Sequence, residues 1–309
     1  MPPADFQRYL RAKRTVDDRS LDRRLLDALT TGLADLATDR DGPVRVLEVG
    51  AGVGTMIERL LAWDRLPQGP VEYTAVDVDP ANTAALPDRL RDWTADRPVT
   101  ATEQAGGIVL DGEDRRVSVT VGTADAADFV AGADREWDLL IGMAFLDIVG
   151  LDRLPLLLSA LAPGGYWYFP ITFDGGTRFG PDHPADDAVE RQYHRHMDAK
   201  PGGDSRAGQH VLDRLHDRDG VTVTGVAGSD WAVYPQGDGY PADEGYFLRY
   251  VLGTIETALG ERDHGEVLDD ATLADWLDTR RQQVADAELV YLTHQLDLLG
   301  RAPSPPARD

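Results

Sequence analysis

Val44, Val46, Leu47 and Val49 form a short apolar run that closes on three glycines, Gly50, Gly52 and Gly54. A run this short and rich in β-branched residues predicts a strand covered on both faces. Met56, Ile57, Leu60 and Leu61 then restart the pattern at helical spacing. The alternation of strand and helix recurs. Residues 71–76 read as a second strand and 83–93 as a helix. Residues 99–110 and 116–122 flank a turn at 111–114, which predicts a hairpin whose second arm is the third core strand. Residues 137–145 form a fourth strand, 151–161 a helix and 166–171 a fifth strand. Helices at 186–197 and 207–215 precede a sixth strand at 221–227. Two helices, 243–259 and 273–284, lead to a last strand starting at 289, and residues 4–38 read as one or two helices. Strands alternating with helices predict a doubly wound, largely parallel α/β sheet of seven strands, with one reversed strand at its edge.

The strand, glycine turn and helix at 44–61 is the unit that brings bare backbone against a nucleotide-like ligand. Two ligands compete for it. A dinucleotide turn reads G-x-G-x-x-G, but Thr55 stands where its third Gly belongs. The spacing here is G-x-G-x-G, with Glu48 two residues ahead. A carboxylate at a strand end suits a cationic amino acid better than a diphosphate. Asp77 ends the second strand about 23 residues after Gly54, near the ~20-residue spacing at which an acid meets a ribose. Asp79 then caps the next helix, with Pro80 at its first position.

The sequence E-x-G-x-G-x-G at 48–54, followed by V-D-V-D-P-A-N at 76–82, resembles the first two motifs of class I S-adenosylmethionine (SAM) methyltransferases. Residues 122–129 resemble that family's adenine loop with two residues inserted, and L-x-P-G-G at 161–165 is similar to a further motif. The wider order resembles bacterial and archaeal small-molecule methyltransferases, over most of residues 5–300. The resemblance implies a Rossmann-like methyltransferase domain at 41–300, under an N-terminal helical lid at 1–40. A helical insertion at 238–286 lies between the last two strands, and a disordered tail spans 301–309. It implies SAM as cofactor, with Glu48, Gly50, Ala51, Gly52 and Gly54 holding the methionine part and Asp77 the ribose. Val78, Asp125 and Ala126 would hold the adenine, with Thr123-Ala124 a competing alignment and Asp125 as a plain helix cap the competing reading. Gly142 and Met143 would border the amino-acid end, and Arg14 or Arg19 in the lid would pair with a carboxylate.

Composition narrows the substrate little. The 309 residues carry a net charge of −23 with only two lysines, Lys13 and Lys200. That charge repels nucleic acid and anionic membranes, and it matches a surface adapted to molar salt. A halophilic, cytoplasmic protein is expected, without nucleic-acid or membrane partners. A small-molecule substrate is the expected partner, and a homodimer the expected assembly if there is one. The absence of cysteine excludes thiolate metal sites and Cys nucleophiles. Amino methylation of adenine or glutamine is disfavoured, because the strand-four end reads Gly-Met-Ala-Phe. The candidate general bases are His194 and His196. Their i, i+2 spacing suits neither one pocket nor a chelated metal, and no metal is expected. Phe145, Phe173, Tyr193 and Trp231, with Tyr246, are the candidate pocket aromatics. The expected activity is methyl transfer from SAM to O, N or S of a small molecule. A SAM-binding regulator without catalysis and an NAD-linked oxidoreductase are the alternatives.

Overall fold

Neighbouring residues on the central strands point to opposite faces, and both faces are apolar. Val46, Leu139 and Tyr168 enter the core on one side, and Leu47, Leu140 and Trp167 enter it on the other, all fully buried. A sheet with two apolar faces must be covered twice, and helices flank it accordingly.

The computed structural model describes residues 3–38, 42–216, 218, 220–260 and 268–303. Its elements run α1 (Pro3–Ala12), α2 (Arg14–Ser20), α3 (Arg23–Thr38), β1 (Val44–Val49), α4 (Thr55–Ala62), β2 (Gly69–Asp77) and α5 (Pro80–Thr94). Next come β3 (Thr100–Gln104), β4 (Gly107–Asp111), β5 (Arg115–Thr123), α6 (Ala126–Ala131), β6 (Trp137–Ile141) and α7 (Leu146–Val149). A 3-10 turn (Leu151–Arg153) leads to α8 (Leu154–Leu158), β7 (Leu161–Gly180), α9 (Asp186–Asp198) and α10 (Ala207–His216). The chain ends with β8 (Thr222–Gly228), β9 (Trp231–Val233), α11 (Glu244–Gly260), α12 (Asp270–Ala285) and β10 (Val290–Arg301).

The strand order is β3-β4-β5-β2-β1-β6-β7-β10-β8, with β9 paired to β10. β5, β2, β1, β6 and β7 are mutually parallel. The chain winds outward from β1 through β2 to β5, then returns to β6 on the other side of β1. The doubly wound α/β sheet is therefore as expected, and its switch point lies between β1 and β6. Ligands bind at such a point because the carboxyl-end loops diverge there.

Three features differ from the sequence reading. The reversed strand β10 is internal, antiparallel to both β7 and β8. Its C-terminal half is buried, whereas β8 alternates exposed positions, so β8 is the strand that tolerates an open edge. The arm at 99–110 is itself a hairpin, because Gly106, with φ 77°, turns β3 back onto β4. The N-terminal stretch is three helices, not one or two.

Helices α1 and α2 are fastened to α11. Arg8 pairs with Asp243 at 2.9 Å, and Tyr9 stacks on Tyr250 with ring centroids 4.2 Å apart. The fully buried Glu244 accepts from Arg19 at 2.5 Å and from Thr15 at 2.6 Å. At the other end of the chain, Arg301 still belongs to β10, and the Pro303 carbonyl accepts from the Gly164 N–H. The rest of the expected tail, 304–309, lies outside the described residues, as do residues 1–2 and 39–40 of the expected lid and 261–267 of the insertion. Among the described residues no helix is long and apolar enough to cross a membrane.

Candidate functional site

A cleft of about 290 Å³ opens at the switch point. Its floor is the turn after β1. Gly50 has φ 66°, and a Cβ there would come within 2.5 Å of the Phe145 ring, so the position needs glycine twice over. The turn is closed on itself. The Ala51 N–H donates to the Val76 carbonyl at 3.0 Å and the Gly54 N–H to the Ala51 carbonyl at 3.0 Å. The Gly52 N–H donates to Asp77 Oδ2 at 2.8 Å. Three donors that could have faced a diphosphate are thus already used.

The charges in the cleft agree. Glu48, Asp77, Asp79 and Asp125 line it, against Lys13 and Arg153. Both cations are engaged: Lys13 lies 3.5 Å from Asp17, and Arg153 donates to Asp125 at 2.5 Å. Glu48, only 2% exposed, accepts from the Tyr73 hydroxyl at 2.7 Å. Burial pushes its carboxyl up to about 8, against partial relief from Tyr73 and Arg59. Asp77 is fixed at the end of β2. Its Oδ1 accepts from the Asp79 N–H at 2.9 Å and from Asn82 Nδ2 at 3.2 Å. With Gly52 on Oδ2, about three of its four acceptor sites are filled.

Of the residues proposed to hold the cofactor, Glu48, Gly50, Ala51, Gly52, Asp77, Val78, Asp125, Ala126 and Met143 line this cleft together. Val78 is 71% exposed, an apolar side chain held open at the rim. Asp125 also caps α6, accepting from the Ala127 and Asp128 N–H groups, so both readings of this residue apply. Arg153 first, then these backbone donors, hold its carboxyl below the ordinary range. Four residues stand outside the lining. Gly54 is the N-cap of α4, with φ 81°. Gly142 sits behind the cleft, where a Cβ would meet Phe169 and Phe145. Arg14 turns away to Glu58 and Asp18, and Arg19 is taken by Glu244, so neither of these two arginines faces the cleft. Lys13, which the sequence reading passed over, lines it instead. That Lys13 is one of two lysines in an arginine-rich chain was the available signal.

A second chamber of about 260 Å³ adjoins the first. The two share Phe6, Leu10, Lys13, Ala144 and Ile148. α1 and α11 roof it through Tyr9 and Tyr250. Of the four aromatics proposed for substrate, Phe173, Tyr193 and Trp231 meet here from β7, α9 and β9, while Phe145 lies in the first cleft. His194 and His196 line neither space. His194 Nε2 is hydrogen-bonded to Thr177 Oγ1 at 3.0 Å, its ring stands edge-on to Phe173, and burial lowers its pKa. His196 is buried within α9. Asp147, which no motif marked, does line the second chamber. Among the described residues there is no cluster of acidic or histidine side chains able to hold a metal ion.

No family model matches the chain, and no curated protein matches it in sequence. Solved structures similar to it include SAM-dependent methyltransferases. One, from Geobacter sulfurreducens in complex with S-adenosyl-L-homocysteine, is 19% identical, with 91% of this chain and 92% of that one covered and a TM-score of 0.42. The plantazolicin methyltransferase BpumL, in complex with SAH, is 12% identical over 95% and 89%, with a TM-score of 0.42. Magnesium protoporphyrin IX methyltransferase from Synechocystis PCC 6803, with bound SAM, is 12% identical over 67% and 72%, with a TM-score of 0.37. At this looseness of overlap, the chemistry of the cleft has to be read from its own side chains.

Proposed function

We propose that this protein is a SAM-dependent methyltransferase that modifies a small molecule at O, N or S. The observation that carries the reading is the pairing of a self-closed glycine turn with inward-facing carboxylates. A diphosphate would meet acids and spent N–H donors there; a nucleoside bearing an ammonium and a sulfonium would meet complementary charge. The same observation counts against an NAD-linked oxidoreductase.

In this reading Glu48 receives the ammonium and the bare backbone of Gly50–Gly52 lies along the methionine chain. Asp77 has one acceptor site left, enough for one ribose hydroxyl. Val78 offers its exposed face to the adenine, and Ala126 packs behind it. Asp125 stands at the edge of the base, held by Arg153. Lys13 takes the role expected of Arg14, as the cation nearest a carboxylate in the cleft. Helices α1 and α2 act as a lid, and α11 caps the second chamber, which receives the acceptor molecule.

When bound, SAM supplies a methyl group on a positively charged sulfur. The chain's own part is to align the acceptor and keep water out. Phe6, Leu10 and Ile148 at the shared boundary supply the apolar collar for that.

The test is calorimetric titration with S-adenosylhomocysteine in molar KCl, beside NADH. Binding of the first and not the second is expected, with Asp77→Ala weakening it about tenfold for the loss of a charged hydrogen-bond acceptor. Binding of NADH alone would reverse the assignment.

A further inference from the structure

The second chamber contains an acid that its walls leave without a partner. Asp147 sits in α7, just past the end of β6, and lines the chamber. Its Oδ1 is out of reach of solvent and has no hydrogen-bond partner among the described residues. An ionised carboxylate with one oxygen held this way carries a desolvation cost that is only partly relieved. Burial, with Asp204 adding slight repulsion, pushes its carboxyl up to about 6, against a hydrogen bond from its own backbone N–H and the charge of Lys13. At neutral pH it is still ionised.

No other polar group of the chamber donates a hydrogen bond to Asp147 Oδ1, and Lys13 acts on it only through its charge. The Lys13 ammonium sits 3.5 Å from Asp17 and 5.4 Å from the centre of the Trp231 ring. The hydroxyls of Tyr9 and Tyr291 are pushed well above the ordinary phenol range by burial, and that of Tyr193 up to about 12, so all three stay protonated at neutral pH. Phe6, Phe173, Trp231 and Tyr250 add four more aromatic rings to a wall that is otherwise aliphatic, with three threonines and Gln295. Aromatic faces attract cations and repel anions. A chamber with seven aromatic rings and a carboxylate oxygen that has no hydrogen-bond partner therefore complements an organic cation.

The backbone around it is strained in the way functional sites are. Ala144 and the β-branched Ile171 both line the chamber with positive φ, 48° and 56°. Such residues cost about 1–3 kcal/mol each and persist where the surrounding structure fixes them. Here the Ile171 N–H is held by the buried Asp297 at 2.9 Å, and the Ala144 N–H by the Pro170 carbonyl at 3.0 Å.

Resting on the methyltransferase reading, we propose that the acceptor is a small organic amine, bound as its ammonium ion in the aromatic chamber with an N–H donated to Asp147. Asp147 then takes the proton that must leave before the nitrogen can act as a nucleophile. The N–H bond breaks, its electron pair stays on nitrogen, and the proton resides on the carboxylate. Asp147, not His194 or His196, is the base.

Two probes of equal shape test this: 2-phenylethylamine and 2-phenylethanol, titrated at neutral pH with S-adenosylhomocysteine present and read by tryptophan fluorescence. The amine should bind the wild-type protein at least about tenfold more tightly than the alcohol, as charge-assisted hydrogen bonds exceed neutral ones. Asp147→Asn should abolish that preference and leave alcohol binding within about twofold. Equal binding of the two probes by the wild-type protein overturns the proposal without any variant, as does failure of the amine to bind. An unchanged preference in Asp147→Asn overturns it too. S-adenosylhomocysteine binding is measured separately. If it persists while the amine preference is missing, only the amine assignment falls. If it is absent, the methyltransferase reading falls and takes the amine assignment with it.

Discussion

At the residue scale the informative groups are acids placed where they are costly. Glu48 is nearly sealed, and its carboxyl sits above its ordinary value of 4.5, at about 8. The folded chain therefore binds that proton more tightly than the unfolded chain. Stability from this group is present at low pH and is lost as pH rises from about 4.5 to about 8. An arriving ammonium needs the ionised form. Affinity for S-adenosylhomocysteine should therefore climb by up to about tenfold per pH unit below about 8 and level off above it. Calorimetry across that range reads it. Glu48→Gln should bind more weakly and lose the slope. A flat profile in the wild-type protein would show that Glu48 is not the ammonium's partner.

At the element scale, the roof of the second chamber depends on one seam. α2 reaches α11 through Arg19 and Thr15, both on Glu244, which has no solvent of its own. Glu244→Ala strands two donors and should lower unfolding stability by about 2 kcal/mol, measured in denaturant titrations. The seam also positions Tyr9 against Tyr250, so the variant should weaken ligands of the second chamber more than S-adenosylhomocysteine. Equal loss at both sites would mean that the seam supports the whole domain and not the roof. The internal position of β10 belongs to this scale as well. Its long pairing with β7 brings Tyr291, Thr293 and Gln295 into the chamber wall, which a strand at the edge would not do.

For the whole molecule the dominant quantity is charge. A net charge of −23 on 309 residues makes the compact state repel itself in dilute buffer. Raising KCl from about 0.1 M to about 2 M shortens the Debye length from ~10 Å to a few ångströms. The thermal midpoint should rise over that range, and it should do so for Glu48→Gln in parallel. A midpoint that falls with salt would mean that the surface ion pairs outweigh the net repulsion.

The chain by itself determined its parallel core strands and the turn that floors its first cleft. Buried parallel strands are apolar runs, and a left-handed glycine turn followed by an acid at a fixed distance is a local pattern. Glu48, Gly50, Asp77 and Asp79 could therefore be read from residues 44–82 alone. What those patterns cannot carry is the meeting of distant side chains. Lys13, Asp147, Tyr193, Trp231 and Tyr250 come from the α1–α2 junction and four separate elements. Only the packing of α1 and α11 over the ends of β6 and β7 makes them one wall. The same limit explains the two histidines. Their imidazoles offered them as bases, but which face of α9 meets the chamber is set by its neighbours, and Tyr193 has that place. Local pattern fixes backbone; burial and charge compensation, which decide what a site binds, are properties of the assembled volume.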